Sequence, residues 1–174
     1  LGLWEQLKTE QRRKWIDFIL SFQRSEPPYK GGFVDPPILD HCDSWKSRIV
    51  DILLKRGHPG LSRRKGTLIA ETKQAIATLA DVGVQAPLLF KDFPHTPEEI
   101  LDYLQNKLNW SHPWAAGGQA AALALFVAHE APRFFSPGDV ETLKRTMINF
   151  FHKITDKDTG AWFIGEKPSY GELI

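Results

Sequence analysis

The sequence lacks the residues needed for a disulfide framework and the apolar length needed for a membrane span. Its 174 residues include a single cysteine, Cys42. One thiol excludes an internal disulfide and a multi-cysteine zinc site, and it is typical of a reducing compartment. The longest apolar run, AAALALFVA, is about half of the roughly 20 residues that cross a bilayer. We therefore expect a cytoplasmic protein without a membrane span.

An excess of charge of one sign is also lacking. The chain has 22 lysines and arginines against 21 aspartates and glutamates, which gives a formal net charge of +1. A nearly neutral protein has no global field that would attract nucleic acid. The basic run from Lys55 to Lys65 contains glycines and a proline, and we interpret it as a solvated loop. The sequence therefore predicts no nucleic-acid partner.

Strand patterns are rare, whereas helical patterns recur along the chain. The segment FVDPPIL contains two prolines and cannot form a central strand. Amphipathic helices, called outer helices here, are predicted at 9–23, 97–109 and 137–155. Two helices that are apolar nearly all round, called inner helices, are predicted at 67–83 and 117–131. Such composition is typical of helices enclosed by neighbours.

The spacing of these helices indicates a repeat. The Thr-Pro and Ser-Pro pairs that open the second and third outer helices lie 40 positions apart. The inner helices share a Gln-Ala step, at Gln74 and Gln119, with a spacing of 45 positions. Two helices in each unit of about 40 to 47 residues predict stacked helical hairpins, in an open solenoid or a closed ring. The predicted fold class is therefore all-α, built from repeated helical hairpins.

The predicted domain organisation is simple. A composition of 42% hydrophobic residues is sufficient for one domain with its own core, over residues 1–174. Residues 24–66 are predicted to form an irregular insertion between the first outer and the first inner helix. One helix is expected within it, around DSWKSRIVDILLKRG.

Glycine-containing turns with an aromatic residue follow two of the outer helices. The segment SFQRSEPPYKGGF ends on Phe33, and TDKDTGAWF contains Trp162. We expect such an aromatic residue to pack into the junction between adjacent hairpins, because buried aromatics dominate core energetics. Phe33, Trp114 and Trp162 are the candidates for this role.

These two turn segments resemble the repeats of the α/α toroids, in particular those of the terpenoid-cyclase and protein-prenyltransferase superfamily. There, an outer helix ends near Gln and is followed by a Gly-aromatic turn and an inner helix. The resemblance implies a ring with a central cavity for an apolar or isoprenoid-like molecule. The chain contains two hairpins and the start of a third, and its last segment, PSYGELI, begins a helical pattern without a cap. We therefore expect part of a longer toroid.

The resemblance also implies that the N-terminal ends of the inner helices line the central cavity. Polar residues on enclosed helices need partners, and a ligand can supply them. Alternatively, the charged residues are solvated or paired with each other, and the aromatic residues pack between repeats. The candidate cavity residues are Glu71, Lys73, Gln74, His112, Trp114, Gln119, Trp162 and Tyr170.

No metal or cofactor site is predicted. The cluster from Asp40 to Asp43 contains possible ligands, but adjacent residues rarely converge on one ion. We interpret it as a capped helix start, and we predict that Cys42 is neither a nucleophile nor a metal ligand. His129 and Glu130 match part of a metalloprotease helix motif, but Arg133 occupies the position of the second histidine.

Three functions remain open at the level of sequence, and the sequence does not decide whether the protein is an enzyme. The first is binding or conversion of an apolar or isoprenoid-like molecule in a toroid cavity, although no acid motif is found. The second is a carbohydrate-active helical barrel, a polysaccharide lyase or hydrolase, in which Trp110, Trp114 and Trp162 would stack on sugars. The third is a non-catalytic helical-repeat scaffold for a protein partner, which the lack of a catalytic constellation favours.

Overall fold

The computed structural model describes residues 3–35, 37–38, 45, 49, 52–53, 61–162 and 164. Its α-helices are α1 (Leu3–Gln6), α2 (Thr9–Leu20), α3 (Arg63–Asp81), α4 (Pro97–Asp102), α5 (Pro113–His129) and α6 (Pro137–Ile154). A π-helix, Tyr103–Lys107, continues α4, and a 3-10 turn, Ala131–Arg133, follows α5. No strand occurs in the described ranges, so this part of the chain is all-α, as predicted. None of its helices combines the length and the apolar composition that crossing a bilayer requires.

Side-chain caps fix the beginnings of three helices. The hydroxyls of Ser62, Thr96 and Ser136 each accept a hydrogen bond from the backbone N–H three residues further on. The caps of α4 and α6 are followed by proline, and both helices begin where the sequence predicted. In contrast, α3 begins at Arg63 and not at residue 67, because the Ser62 cap is followed by basic residues with high helix propensity. Residues 63–66 are therefore helical, although they were included in the predicted irregular insertion.

Two outer helices end before their apolar patterns do. α2 ends at Leu20, and Gln23 leaves the helix to form an isolated antiparallel bridge with Phe33. The α-helical part of α4 ends at Asp102, and the π-helix follows. Beyond it, the Trp110 indole N–H donates to the carbonyl of Leu104 at 2.7 Å, an acceptor that another helical turn would use. After α2, the bridge between Gln23 and Phe33 takes the place of further helical hydrogen bonds. After the π-helix, the hydrogen bond from Trp110 to Leu104 does the same.

The helices pack in two parallel pairs. α3 lies along α5, and Gln119 near the start of α5 donates to the carbonyl of Gly66 near the start of α3 at 3.1 Å. α4 lies along α6, and the ring of Trp110, which follows the π-helix, contacts Phe150 near the end of α6. α5 also packs against α6. Helices that were predicted to be equivalent are therefore neighbours that run in the same direction.

α5 supplies much of the core, but one of its faces is open. Leu123 and Phe126 are buried, and the Phe126 ring packs against Phe90 with centroids 4.9 Å apart. The sequence predicted that α5 would be enclosed on all sides. This is wrong for the described part of the chain, because a stripe of small residues on α5 is exposed: Gly118, Ala121, Ala124 and Ala128.

The helix expected around DSWKSRIVDILLKRG falls mostly outside the described residues. Four residues of this stretch are described, and all of them are helical and exposed: Trp45, Ile49, Ile52 and Leu53. The polar cluster from Asp40 to Asp43, including Cys42, lies entirely outside the described residues.

The central segment, residues 86–92, connects α3 and α4 and is fixed from one side by a buried ion pair. Glu130 is only 2% exposed, and Arg133 donates to both of its carboxylate oxygens at 2.9 and 3.0 Å. The same carboxylate accepts the backbone N–H of Phe90 at 3.0 Å, and Arg133 donates to the carbonyl of Ala86 at 2.8 Å. Glu130 and Arg133 therefore form hydrogen bonds with the N–H of Phe90 and the carbonyl of Ala86, two backbone groups that have no partner in a helix or a strand.

The other side of the central segment is held by Gln23. Its amide nitrogen donates to the carbonyls of Leu88 and Gly31 at 2.8 and 3.0 Å, and its amide oxygen accepts the N–H of Leu88 at 3.2 Å. Gly31 has a φ of +82°, and a Cβ atom there would lie 2.0 Å from the carbonyl oxygen of Leu89. The turn after α2 therefore packs directly on the central segment, backbone against backbone.

We predict that Arg133→Met lowers the free energy of unfolding by about 3 kcal/mol or more. The substitution keeps most of the side-chain volume but leaves the buried Glu130 carboxylate without its cation. The measurement is urea unfolding followed by circular dichroism. The control is Arg145→Met, because Arg145 forms an exposed pair with Glu141 at 3.8 Å and should change stability by no more than about 0.5 kcal/mol. Equal effects of the two substitutions would show that the buried pair does not hold the central segment.

We also predict different effects of alanine at two glycines with positive φ. Gly160 has a φ of +71° and open space around it, so Gly160→Ala should cost only the left-handed strain of about 1–2 kcal/mol. Gly31→Ala adds a clash with the backbone of Leu89 and should cost at least about 3 kcal/mol in total. Thermal and urea unfolding of both variants test this. Similar stabilities would mean that the turn is not packed against the central segment.

Candidate functional site

An apolar cavity of about 310 Å³ lies between the end of α2, the following turn and the middle of α3. Most of its wall is hydrocarbon, from Ile19, Phe22, Phe33, Val34, Ile38 and Ala75. Its polar groups come from Asp35, Glu71, Gln74 and Thr78. Concave, mostly apolar sites with a few polar groups are typical of small-molecule binding.

The turn after α2 positions the back wall of this cavity. Phe33 and Val34 are both buried, and Phe33 is held through its backbone N–H, which donates to the hydroxyl of Thr72 at 3.0 Å. The backbone N–H of Val34 donates to the carbonyl of Phe22 at 3.2 Å. A side chain at Gly32 would lie 2.8 Å from a methyl group of Leu68, so the turn packs closely against α3. These contacts fix the wall without regular secondary structure.

Three polar side chains of the cavity have no partner within the described part of the chain. The carboxylates of Asp35 and Glu71 form no ion pair there, and the side-chain amide of Gln74 forms no hydrogen bond. Glu71 and Gln74 are three residues apart on α3 and therefore share one face of the helix. The hydroxyl of Thr78 is occupied, because it donates to the backbone carbonyl of Gln74 at 2.8 Å. The cavity thus presents two carboxylates and one amide to a ligand.

Two of the predicted cavity residues, Glu71 and Gln74, therefore lie together in one cavity. Their place along the helix differs from the prediction, because α3 begins at Arg63 and both residues lie near its middle. The positive end of the helix dipole acts mainly within the first turn, and it contributes little at these positions. Lys73 is half-buried on the same helix and does not line the cavity.

Gln119 lies elsewhere and joins three helical elements. It donates to Gly66 of α3, and its amide oxygen accepts a weak hydrogen bond from the Tyr103 hydroxyl at 3.4 Å. Burial raises the pKa of Tyr103, and the charge of Asp92 raises it further, so the phenol remains a donor. Both ends of the Gln119 amide are used inside the protein, and it does not line the cavity with Glu71 and Gln74.

The predicted aromatic residues have different environments. Trp114 is 95% exposed, so its predicted packing role is wrong, and Trp110 of the same turn is the buried tryptophan. Trp162 forms an antiparallel bridge with Thr155 and is half-exposed, and its ring packs on Phe151 with centroids 4.4 Å apart. The turns that contain Phe33 and Trp162 thus have the same bridge to the end of the preceding helix, and both aromatic residues pack there.

The two remaining candidates add little to the site. His112 is half-buried and is the N-cap residue of α5, but its side chain makes no capping hydrogen bond. Tyr170 lies outside the described residues.

A second, more polar cleft lies near the start of α3 and the end of α4. Lys65 is paired with Asp92 at 2.8 Å, and Lys107 is paired with Asp102 at 3.3 Å. Hydrogen bonds from Asn106 and Lys107 hold the pKa of Asp102 below its usual value. These carboxylates already have partners, which makes the cleft a weaker candidate than the apolar cavity. In the described ranges, no three His, Cys, Asp or Glu side chains are grouped so that they could hold a metal ion.

Comparison with family models, curated proteins and solved structures found no match to this chain. The resemblance to terpenoid cyclases and protein prenyltransferases therefore depends on the two turn segments alone. A fold does not by itself determine a function, so the function has to be argued from the chemistry of the cavity.

Sequence reasoning did not identify most of the cavity wall. Asp35 follows the turn at Phe33 and Val34, and the prolines after it indicate only that this segment is not a central strand. A local signal for these residues was present, since Gly31 and Gly32 mark a turn that must pack closely. The partner surface on α3 could not be found in this way, because Thr72 is 39 positions away from Phe33 along the chain.

We predict that Thr72→Val lowers stability by about 1–3 kcal/mol. Valine has a similar shape, but it leaves the buried N–H of Phe33 without an acceptor. The control is Thr142→Val on α6, where an exposed hydroxyl donates to the carbonyl of Gly138 and the effect should be within about 0.5 kcal/mol. Urea unfolding of both variants is the measurement. A neutral Thr72→Val would contradict the positioning of the cavity wall by this hydroxyl.

Proposed function

We propose that this chain is part of an α/α toroid and that it binds a small, largely apolar molecule in the cavity between α2 and α3. The observation that carries the binding proposal is the combination of an apolar wall with three polar side chains that have no partner among the described residues: Asp35, Glu71 and Gln74. Glu71 and Gln74 are exposed and Asp35 is half-buried, so all three side chains can exchange water for the polar groups of a ligand, while the apolar wall supplies the contact area.

Three features of the packing support the toroid. The inner helices α3 and α5 are neighbours and run in the same direction, as do the outer helices α4 and α6. The turns after α2 and α6 share the antiparallel bridge between the end of a helix and an aromatic residue. The exposed face of α5 carries glycine and alanine, which contradicts full enclosure but is compatible with an inner helix that borders the open lumen of a partial ring.

The cavity suits a small ligand. Its volume of about 310 Å³ is at the lower end of the range of roughly 300–1,000 Å³ that is typical of ligand pockets. An isoprenoid alcohol has a branched apolar body for contact with Ile19, Phe22 and Phe33, and a hydroxyl that can donate to Glu71 and accept from Gln74. The proposal is one of binding. If a reaction takes place at this site, Asp35 and Glu71 are the groups placed to act as its acid or base.

A second candidate function, a scaffold for a protein partner, is favoured by the outer face of α2. Trp15 and Phe18 are 55% and 56% exposed, and with Leu7 they form an apolar hollow. Large aromatic side chains on a surface are typical of binding sites for proteins. The carbohydrate-active alternative has weaker support. Trp114 and Trp162 are exposed, but Trp110 is buried, and the carboxylates Asp92 and Asp102 of the polar cleft are ion-paired.

We predict that geraniol, an isoprenoid alcohol, binds to the wild-type protein and that Ala75→Phe weakens this binding at least about tenfold. The new ring would occupy the cavity, because Ala75 is part of its wall. Ligand-detected NMR and calorimetric titration provide the measurement. The control is Ala70→Phe, which places the same ring on α3 at an exposed position outside the cavity and should leave the affinity within about twofold.

Two results would contradict the proposed function. In the first, geraniol does not bind to a folded wild-type protein. In the second, Ala75→Phe and Ala70→Phe have the same effect, which would place the ligand elsewhere. Binding of a protein to the face of Trp15 and Phe18 without any effect of cavity substitutions would favour the scaffold.

A further inference from the structure

We infer that the cavity selects an apolar ligand with a positively charged head group, such as an alkylamine or a quaternary ammonium compound, and disfavours anionic amphiphiles. This inference rests on the proposed function and adds the chemical class of the ligand. It follows from the charges that the described wall of the cavity presents, which are all negative.

The described lining residues include two carboxylates, Asp35 and Glu71, but no lysine, arginine or histidine. Within the described residues, neither carboxylate is neutralised by an ion pair. The cavity therefore differs from the polar cleft, where Asp92 is paired with Lys65 and Asp102 is paired with Lys107. Two unpaired negative charges beside an apolar wall favour a cationic partner.

The described cations near this cavity are not placed to reverse its charge. Lys73 lies two positions from Glu71 on α3, and residues at this spacing do not face each other on a helix. On α2, Arg13 is paired with Asp17 at 3.7 Å and Lys14 with Glu10 at 2.7 Å. Among the described residues, a carboxylate, phosphate or sulfate head group would therefore find no cation in the cavity wall, and both carboxylates would repel it.

The apolar wall provides a second reason for a cationic head group. Phe22 and Phe33 both line the cavity, and Phe33 is held in place by the hydrogen bond of its N–H to Thr72. Aromatic rings attract alkylammonium groups through the negative charge of their faces, most strongly where water is excluded. An anion gains nothing from these rings. The same site therefore does not accept the diphosphate head of an activated isoprenoid, although the neutral alcohol is allowed.

The test compares three probes with the same alkyl chain: octyltrimethylammonium, 1-octanol and octanoate. Calorimetric titration at low ionic strength should give the order cation, alcohol, anion, with about fivefold or more between cation and alcohol. Glu71→Gln should weaken the binding of the cation about two- to fivefold and leave 1-octanol within about twofold, and Asp35→Asn should act in the same direction. The control is Glu98→Gln, which removes an exposed carboxylate of α4 outside the cavity and should change neither affinity.

The outcomes separate this inference from the proposed function. If 1-octanol binds and Ala75→Phe removes its binding, but octanoate binds as tightly as the cation, the charge selectivity is overturned and the cavity remains a ligand site. The same conclusion follows if Glu71→Gln and Asp35→Asn both have no more effect than Glu98→Gln. If none of the three probes binds, or if Ala75→Phe affects none of them, the proposed function fails as well.

Discussion

The rest of the structure depends on the hydrogen bonding of the central segment, residues 86–92. This segment lies in neither a helix nor a strand, yet Ala86 and Phe90 are buried. Its backbone polar groups must therefore be hydrogen-bonded to side chains, because each buried N–H or C=O group without a partner would lower the free energy of unfolding. Gln23 provides partners from one side, and the Glu130–Arg133 pair provides them from the other. Two helical pairs and the turn after α2 are joined through this one segment.

The same arrangement fixes the candidate site. Gln23 binds Gly31 and Leu88 at once, so the turn after α2 cannot move independently of the central segment. That turn continues into Phe33, which forms the cavity wall and is tied to α3 by Thr72. A wall held by backbone contacts of this kind is pre-organised, which reduces the entropy lost when a ligand binds. The carboxylates of Asp35 and Glu71 remain outside this network, and within the described part of the chain they form no ion pair that would compete with a ligand.

Local signals in the sequence were sufficient for part of the fold and for part of the site. Ser-Pro and Thr-Pro caps gave the starts of α4 and α6, and periodicity placed Glu71 and Gln74 on one helix. Contacts between residues that are far apart in the sequence could not be predicted from local patterns. The local sequence His129-Glu130 matches part of a zinc motif. The structural role of Glu130 could not be predicted from it, because its partner Phe90 lies 40 positions away. Trp114 and Trp110 were also indistinguishable by composition, since only packing of Trp110 on Phe150 determines which of them is buried.

The central claim is that side chains hold the central segment as firmly as a helix holds its own backbone. Native-state hydrogen exchange of the backbone amides, measured by NMR, tests it most directly. We predict that the amides of Leu88 and Phe90 exchange as slowly as that of Leu123 in the buried part of α5. Exchange of Leu88 and Phe90 as fast as the exposed turn residue Lys157, in a protein whose Leu123 remains protected, would contradict the account.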